Sequence, residues 1–373
     1  MVINTLVIGA SIAGLAVAAS LQKQGIEYAI IEKSDCIAAP WHRHYDRLHL
    51  HTSKKFSHLP YKKFDHHIPR YPARQQVIEY LNEYKSAFNI EPLFNTEAFS
   101  VKRIDGVWIT QTDKQVIESK YVVMATGAFA EPRTVFFKGM ETFPGKIVHS
   151  SEYKTGADFS GQKVLVVGFG NSACEIAIDL FEQGAKPVMS VRSRVNIVPR
   201  DVLGIPVLEL SILLNPLPPP VADLISKPLM KLLIGDIGKL GLQQMPYGPL
   251  TQIQRDHKAP VLDVGTIKHI RQGNIQVMGG VDHIADNIVY FKNGRVDKFD
   301  AIIAAIGFRT INEKIVHVEK ERFGDLLVSV DHQKYFGKDG LYFCGYWISP
   351  TGQIREIAQD AMKIAKDIAG RIN

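Results

Sequence analysis

Leu6-Val7-Ile8-Gly9-Ala10-Ser11-Ile12-Ala13-Gly14 and Val164-Leu165-Val166-Val167-Gly168-Phe169-Gly170-Asn171-Ser172-Ala173 are two versions of one pattern. In each, a short apolar run meets glycine and continues into a stretch with helix-forming composition. Each reads as a buried strand turning into a helix, the context that a dinucleotide fingerprint needs. Such a turn brings backbone N–H groups and a helix N-terminus up to a pyrophosphate. Gly9, Ser11, Ala13 and Gly14 are the candidate contacts of the first turn; Gly168, Gly170, Asn171 and Ser172 are those of the second. Asn171 also reads as an ordinary helix cap.

The pattern extends outward on both sides as an internal repeat. The first copy predicts a helix over 13–24 closed by Gly25, then a strand over 28–31 that ends in Glu32, followed by Lys33. An acid at that place bonds an adenosine ribose hydroxyl. The second copy predicts a helix over 171–183 closed by Gly184, and a strand over 187–191 that ends in Arg192-Ser193-Arg194. A guanidinium there suits a ribose 2′-phosphate, because it is always charged and binds in a bidentate manner. The first site therefore reads as an FAD site and the second as an NADPH site. Further strands are predicted over 121–125, ending in Thr126-Gly127, and over 301–305, ending in Ile306-Gly307, as the last sheet strands of the two lobes. The run 341–345, ending in Gly345, leads to a helix that begins near Thr351-Gly352 and runs to Ala369. The N-terminus of that helix suits the anionic edge of a reduced flavin ring.

The fold class expected is α/β, with two Rossmann-like dinucleotide-binding domains. An FAD domain of residues 1–155 and 300–373 is interrupted by an NADPH domain of residues 156–299. The chain of 373 residues is long enough for two cores, and its 46% apolar and 22% charged residues are ordinary for a globular enzyme. The net charge of +6 is spread along the chain with no long basic run, so nucleic acid is not expected as a partner. Cys36, Cys174 and Cys344 are far apart and form no Cys-x-x-Cys pair, which argues against a dithiol centre and against a metal site. The N-terminus enters a strand with no basic, apolar leader, so a cytoplasmic location is expected. The uncharged stretch 210–222 is shorter than the roughly 20 residues of a membrane span and is broken by Pro216, Pro218, Pro219 and Pro220, so no integral membrane segment is expected. A homodimer is the base expectation for assembly.

Between the two turns lies Phe143-Pro144-Gly145-Lys146-Ile147-Val148-His149-Ser150-Ser151-Glu152-Tyr153. Its Phe-x-Gly-x-x-x-His-x-x-x-Tyr spacing resembles the signature of flavin-containing monooxygenases. The stretches Tyr45-Asp46-Arg47-Leu48-His49-Leu50-His51, Val191-Arg192-Ser193, Gly248-Pro249-Leu250 and Pro260-Val261-Leu262-Asp263-Val264-Gly265-Thr266 extend the resemblance, most closely to the YUCCA-type branch, over nearly the whole chain. What the resemblance implies is an enzyme whose FAD is reduced by NADPH and reacts with O2 to form a C4a-(hydro)peroxyflavin. That species transfers one oxygen to a small organic substrate. In the YUCCA-type branch the implied reaction is oxidative decarboxylation of a 2-oxo acid such as indole-3-pyruvate; sulfoxidation or N-oxidation uses the same oxidant. Two readings stand beside it: an NADPH-dependent flavoprotein oxidase or reductase without oxygen transfer, and a disulfide reductase, which shares the two-lobed fold but would need a cysteine pair.

The chain departs from the family pattern at Ser11, in the place of the second glycine, and at Ala173 and Ile306. His51-Thr52-Ser53-Lys54 stands where many members carry Asn-x-x-Lys. His51 and Lys54 are the candidate catalytic residues: an imidazole can hydrogen-bond the oxidant or a bound oxo acid, and an ammonium can attract a substrate carboxylate. Trp41 is a candidate for packing along the flavin or adenosine. The cofactor set is completed by Lys33, His51 (also a candidate for contact with the flavin), Ala98, Thr126, Gly127, Ser193, Gly345 and Gln353. His149 and Tyr153 read as structural. The apolar excursion over 202–240 is a candidate wall of a dry substrate passage. Polar substitutions along 210–214 are expected to raise the H2O2 released per NADPH oxidised; unchanged peroxide release would remove the passage.

Overall fold

The computed structural model describes residues 1–318 and 337–372, so part of the second segment of the expected FAD domain lies outside the described residues. The chain divides into two compact units. One comprises Met1–His42, Thr52–Glu131 and Phe308–Asn373; the other comprises Arg43–His51 and Pro132–Gly307.

In the first unit, β1 (Val2–Ile8) leads into α1 (Ile12–Lys23) and β2 (Tyr28–Ile31). These three bounds match the sequence-level expectation to within a residue or two. β1 lies parallel to β2, with Leu6 opposite Ala29, and parallel to β5 (Val116–Met124), with Leu6 also opposite Val122. The sheet then turns antiparallel through β4 (Val107–Thr112) and β3 (Ala98–Ile104). β5 begins five residues before the predicted strand. Its first half alternates exposed and buried positions, as a strand with one wet face does, whereas 121–124 is buried throughout. Only that second half gives the continuous apolar run that sequence reading detects. The strand Leu341–Phe343 pairs parallel to β5, and the helix Gln353–Ile372 packs on α1. Covered by both sheet and helix, α1 is buried from Ile12 to Leu21 and is apolar on every side.

The second unit is built on five parallel strands. In sequence they are β6 (Lys146–His149), β7 (Lys163–Val167), β8 (Lys186–Ser190), β9 (Gln276–Met278) and β10 (Ala301–Ala304); across the sheet they run β9-β8-β7-β10-β6. α2 (Asn171–Glu182) follows β7 and buries Ala173 to Leu180. β10 is an interior strand, between β7 and β6, rather than the last one. That pairing places residues 132–155 and 300–307 with the second unit, where the sequence reading grouped them with the first lobe. The apolar excursion folds as two helices, Val207–Leu214 and Pro219–Ile234. Asp223 is buried at its base and accepts from the backbone N–H groups of Leu250 and Thr251, which caps the helix Pro249–Asp256. Among the described residues, no helix is long and apolar enough to cross a membrane.

The signature histidine and tyrosine fasten this unit. The Ser151 N–H donates to His149 Nδ1 at 3.1 Å, which leaves the ring proton on Nε2, 3.1 Å from the Gly307 carbonyl oxygen. The Tyr153 hydroxyl donates to Asp179 Oδ2 on α2 at 2.6 Å, and the Gly156 N–H donates to the same oxygen at 2.8 Å. Both residues are buried.

Both strand–helix turns rest on close backbone approach. A Cβ at Gly14 would lie 1.8 Å from the Gly9 carbonyl oxygen, and one at Gly168 would lie 2.4 Å from that of Ala305, with Gly168 at φ +126°. Neither contact can be relieved by moving a side chain. Gly14→Ala and Gly168→Ala are each expected to cost about 1–3 kcal/mol, read as a lowered unfolding midpoint in thermal melts. Burial lowers the His149 pKa below its ordinary 6.5. The native state therefore favours the neutral ring, so this contribution to stability is complete above about pH 6.5 and is lost as pH falls through the lowered native value. His149→Asn should flatten stability against pH over that acid window in urea titrations. An unchanged slope would mean that His149 does not carry it.

Candidate active site

The first unit gathers its candidate residues at the C-terminal ends of β1, β2 and β5, where ligands bind in open parallel sheets. Ile8 is opposite both Ile31 and Met124, so the Gly9 turn, Glu32 and Thr126 emerge side by side. Glu32 is buried, and each of its oxygens accepts one backbone bond: Oε2 from the Ala10 N–H at 2.8 Å and Oε1 from the Ser34 N–H at 2.9 Å. It thus braces the glycine turn from the strand end, and its remaining lone pairs can still take a ribose hydroxyl. Ser11 caps α1 in an extended conformation without a side-chain cap bond. Lys33 forms a 4.0 Å exposed ion pair with Glu97, beside Ala98 at the start of β3. Trp41 sits half-buried on the short helix Ala39–Arg43, whose approach is fixed by the Ala38 N–H donating to the Ala10 carbonyl oxygen.

The C-terminal segment closes on the same end of the sheet. A Cβ at Gly345 would meet Ala13 Cβ at 3.2 Å, and Gln353 Nε2 donates to the Gly345 carbonyl oxygen at 3.3 Å. Thr126 Oγ1 lies 2.6 Å from the Tyr346 hydroxyl, which in turn is 2.9 Å from Asn312 Oδ1. Burial pushes the Tyr346 phenol well above its usual range, so it acts in this chain as a proton-bearing group. Gly127 follows at φ +79°, with open space where a Cβ would stand. Lys54 donates through its ammonium group to the carbonyl oxygens of Asp65, His66 and Ile68, so all three of its protons clamp that loop.

In the second unit, Gly168 and Gly170 form the turn between β7 and α2. A Cβ at Gly170 would meet nothing within 4 Å, so no protein packing asks for glycine there; the free space is what an approaching phosphate requires. Asn171 Oδ1 accepts from the Leu262 N–H at 2.8 Å, which ties the helix start to the strand Val261–Asp263. Ser172 stands beside the Tyr45 phenol. Arg192 and Ser193 follow the end of β8, and Arg192 packs against Gly280, where a Cβ would come within 2.8 Å of Arg192 Cβ.

His51 belongs to this unit through the segment Arg43–His51. Its Nε2 lies 2.9 Å from Oε1 of Glu175, on α2. Glu175 Oε2 accepts from the Tyr45 hydroxyl at 2.6 Å. Glu175 is only 3% exposed. Sequence reading missed Glu175, Asp179 and Tyr45. The signal was present: two acids four residues apart within the otherwise apolar stretch 173–180 mark polar groups on a buried face. Cys174 and Cys344 are buried, and burial pushes both thiols up, so neither has the thiolate character that disulfide exchange requires.

Residues 6–201 match the family model described as pyridine nucleotide-disulphide oxidoreductase. The chain is 37% identical to indole-3-pyruvate monooxygenase YUCCA1 of Oryza sativa subsp. japonica, over 98% of this chain and 91% of the relative. It is 38% identical to indole-3-pyruvate monooxygenase YUCCA6 of Arabidopsis thaliana, over 99% and 90%. Among solved structures, the flavin-containing monooxygenase of Stenotrophomonas maltophilia superposes with a TM-score of 0.73 at 18% identity, covering 100% of this chain and 99% of that one. Cyclohexanone monooxygenase from Rhodococcus gives 0.75 at 16%, covering 100% and 85%. These structures share the α/β fold with Rossmann-like nucleotide-binding domains. With matched relatives along nearly its whole length, the chain belongs to the flavin-dependent monooxygenases, a family of enzymes that use a flavin and a nicotinamide nucleotide.

Proposed function

We propose that the first unit holds FAD, that the second holds NADPH, and that the protein inserts one oxygen atom from O2 into a small organic substrate. The observation that carries this is the contrast between two otherwise matching turns. One ends its second strand in a buried carboxylate, Glu32; the other is followed by Arg192 and has open space at Gly170. Their charges select different riboses: a carboxylate accepts from a 2′-hydroxyl and repels a 2′-phosphate, and a guanidinium does the reverse.

FAD is held by Gly9, Ser11, Ala13, Gly14, Glu32, Lys33, Trp41, Ala98, Thr126, Gly127, Gly345 and Gln353. NADPH is held by Gly168, Gly170, Asn171, Ser172, Arg192 and Ser193. When bound, the flavin supplies the redox chemistry, taking electrons from the nicotinamide and passing them to O2. The protein's share is binding, orientation and exclusion of water. His51 serves the reaction centre as the residue that holds or accepts a proton, and Lys54 holds the 65–68 loop through the carbonyl oxygens of Asp65, His66 and Ile68. The 2-oxo acids are the first substrate class to test, since indole-3-pyruvate is named for relatives at 37–38% identity over nearly the full chain. Thioethers and amines are the second. A cytoplasmic, reducing setting accords with thiols buried as Cys174 and Cys344 are.

Two experiments test the reading. Arg192→Ala should raise the KM for NADPH by about 10–100-fold, the loss of one charge-assisted phosphate contact, and leave that for NADH nearly unchanged. Equal effects on both would remove the 2′-phosphate role. NADPH-reduced protein mixed with O2 and indole-3-pyruvate should yield decarboxylated, oxygenated product in near equivalence to NADPH. Peroxide equal to NADPH consumed, with every substrate class, would make the protein an NADPH oxidase instead.

A further inference from the structure

The carboxylate of Glu175 is enclosed between two proton donors that no nucleotide or substrate contact accounts for. On one side the Tyr45 hydroxyl donates to Oε2 at 2.6 Å; on the other, His51 Nε2 stands 2.9 Å from Oε1. Tyr45 is 2% exposed, and the His51 side chain 13%. Burial, with the neighbouring carboxylate next in effect, raises the Tyr45 phenol well above its usual range. The phenol therefore keeps its proton, and Oε2 is an acceptor. A carboxylate offers only lone pairs, so the hydrogen between Oε1 and Nε2 is carried by the nitrogen. A buried carboxylate with a donor on each oxygen is satisfied; with either donor removed it is left partly unpaired. Among the described residues, His51 Nδ1 has no hydrogen-bond partner.

We propose that Glu175 is a positioning residue for His51: its bond to Nε2 fixes the imidazole tautomer and leaves Nδ1 as the one ring nitrogen that exchanges a proton or hydrogen bond with a ligand. Tyr45 completes the device by holding the carboxylate's other oxygen, so that Glu175 does not rotate away. The tautomer follows from this unit's own geometry. Its consequence for oxygen transfer rests on the reading that places His51 at the reaction centre.

The test is long-range 1H–15N NMR on FAD-loaded, 15N-histidine-labelled protein above pH 8, with the His51 signals assigned by their loss in His51→Asn. The wild type should show a protonated Nε2 and an unprotonated Nδ1. In Glu175→Gln, the Tyr45 hydroxyl still donates to the amide oxygen, which turns the amide NH2 toward Nε2. Nε2 then has to accept, and the ring proton moves to Nδ1. That inverted tautomer, together with a several-fold larger share of NADPH appearing as H2O2, is the expected result. A wild-type ring protonated on Nδ1, or a tautomer unchanged in Glu175→Gln, overturns the proposal. The wild-type measurement alone decides the first of these, whether or not the variant folds. An inverted tautomer with unchanged peroxide release upholds the positioning role and overturns instead the placement of His51 at the reaction centre.

Discussion

Both units depend on one constraint: a helix can leave the end of its strand at this angle only if backbone passes backbone with no side chain between. A Cβ at Gly9 would come within 2.8 Å of the Ala125 carbonyl oxygen, and one at Gly168 within 2.4 Å of the Ala305 carbonyl oxygen, each just past the end of the neighbouring strand. This closeness aims the first N–H groups of α1 and α2 past the ends of the sheets rather than along them. Everything assigned to cofactor binding follows from that aim. Glu32 braces the first turn by accepting from Ala10 and Ser34, and Asn171 ties the second to Leu262. The two turns are similar in backbone and differ in what secures them.

The second unit adds a feature that a nucleotide turn does not require. α2 presents Glu175 and Asp179 to its buried side, and each receives a tyrosine hydroxyl, from Tyr45 and Tyr153. The two rings meet edge to face at 6.3 Å. Buried carboxylates are costly unless each lone pair is answered. Here the answer comes from segments far apart in sequence, 43–51 and 149–156, which are thereby fastened to one helix. The signature spacing of His149 and Tyr153 is thus a consequence of anchoring: one residue reaches the Gly307 carbonyl and the other reaches Asp179.

The legible parts of the chain were those where one short window holds the whole signal. The strand–glycine–helix turns, β2, β8 and the C-terminal helix were read to within a few residues because periodicity and glycine placement are local. β3, β4 and the first half of β5 escaped notice because half-exposed strands form no continuous apolar run. The interior position of β10 was invisible for another reason: sheet order is decided by pairing between distant strands. The contacts of Lys54 and Glu175 belong to the same class, since a charged side chain does not announce whether carbonyl groups, a histidine or water will surround it.

The strand Leu341–Phe343 lies against β5, with Leu341 opposite Val122. A ribosome that has made the whole of the first sheet's early strands has still not made this neighbour. The second unit's sheet, by contrast, is complete once residue 304 has emerged. Synthesis therefore favours an order in which the later-starting unit consolidates first, while β5 waits with an unpaired edge of N–H and C=O groups. The sequence separation that closes the first sheet makes it the slower of the two to form. During that interval β5 is the part of the nascent chain most exposed to pairing with a wrong strand, and its protection falls to whatever shields an open edge until the C-terminus arrives.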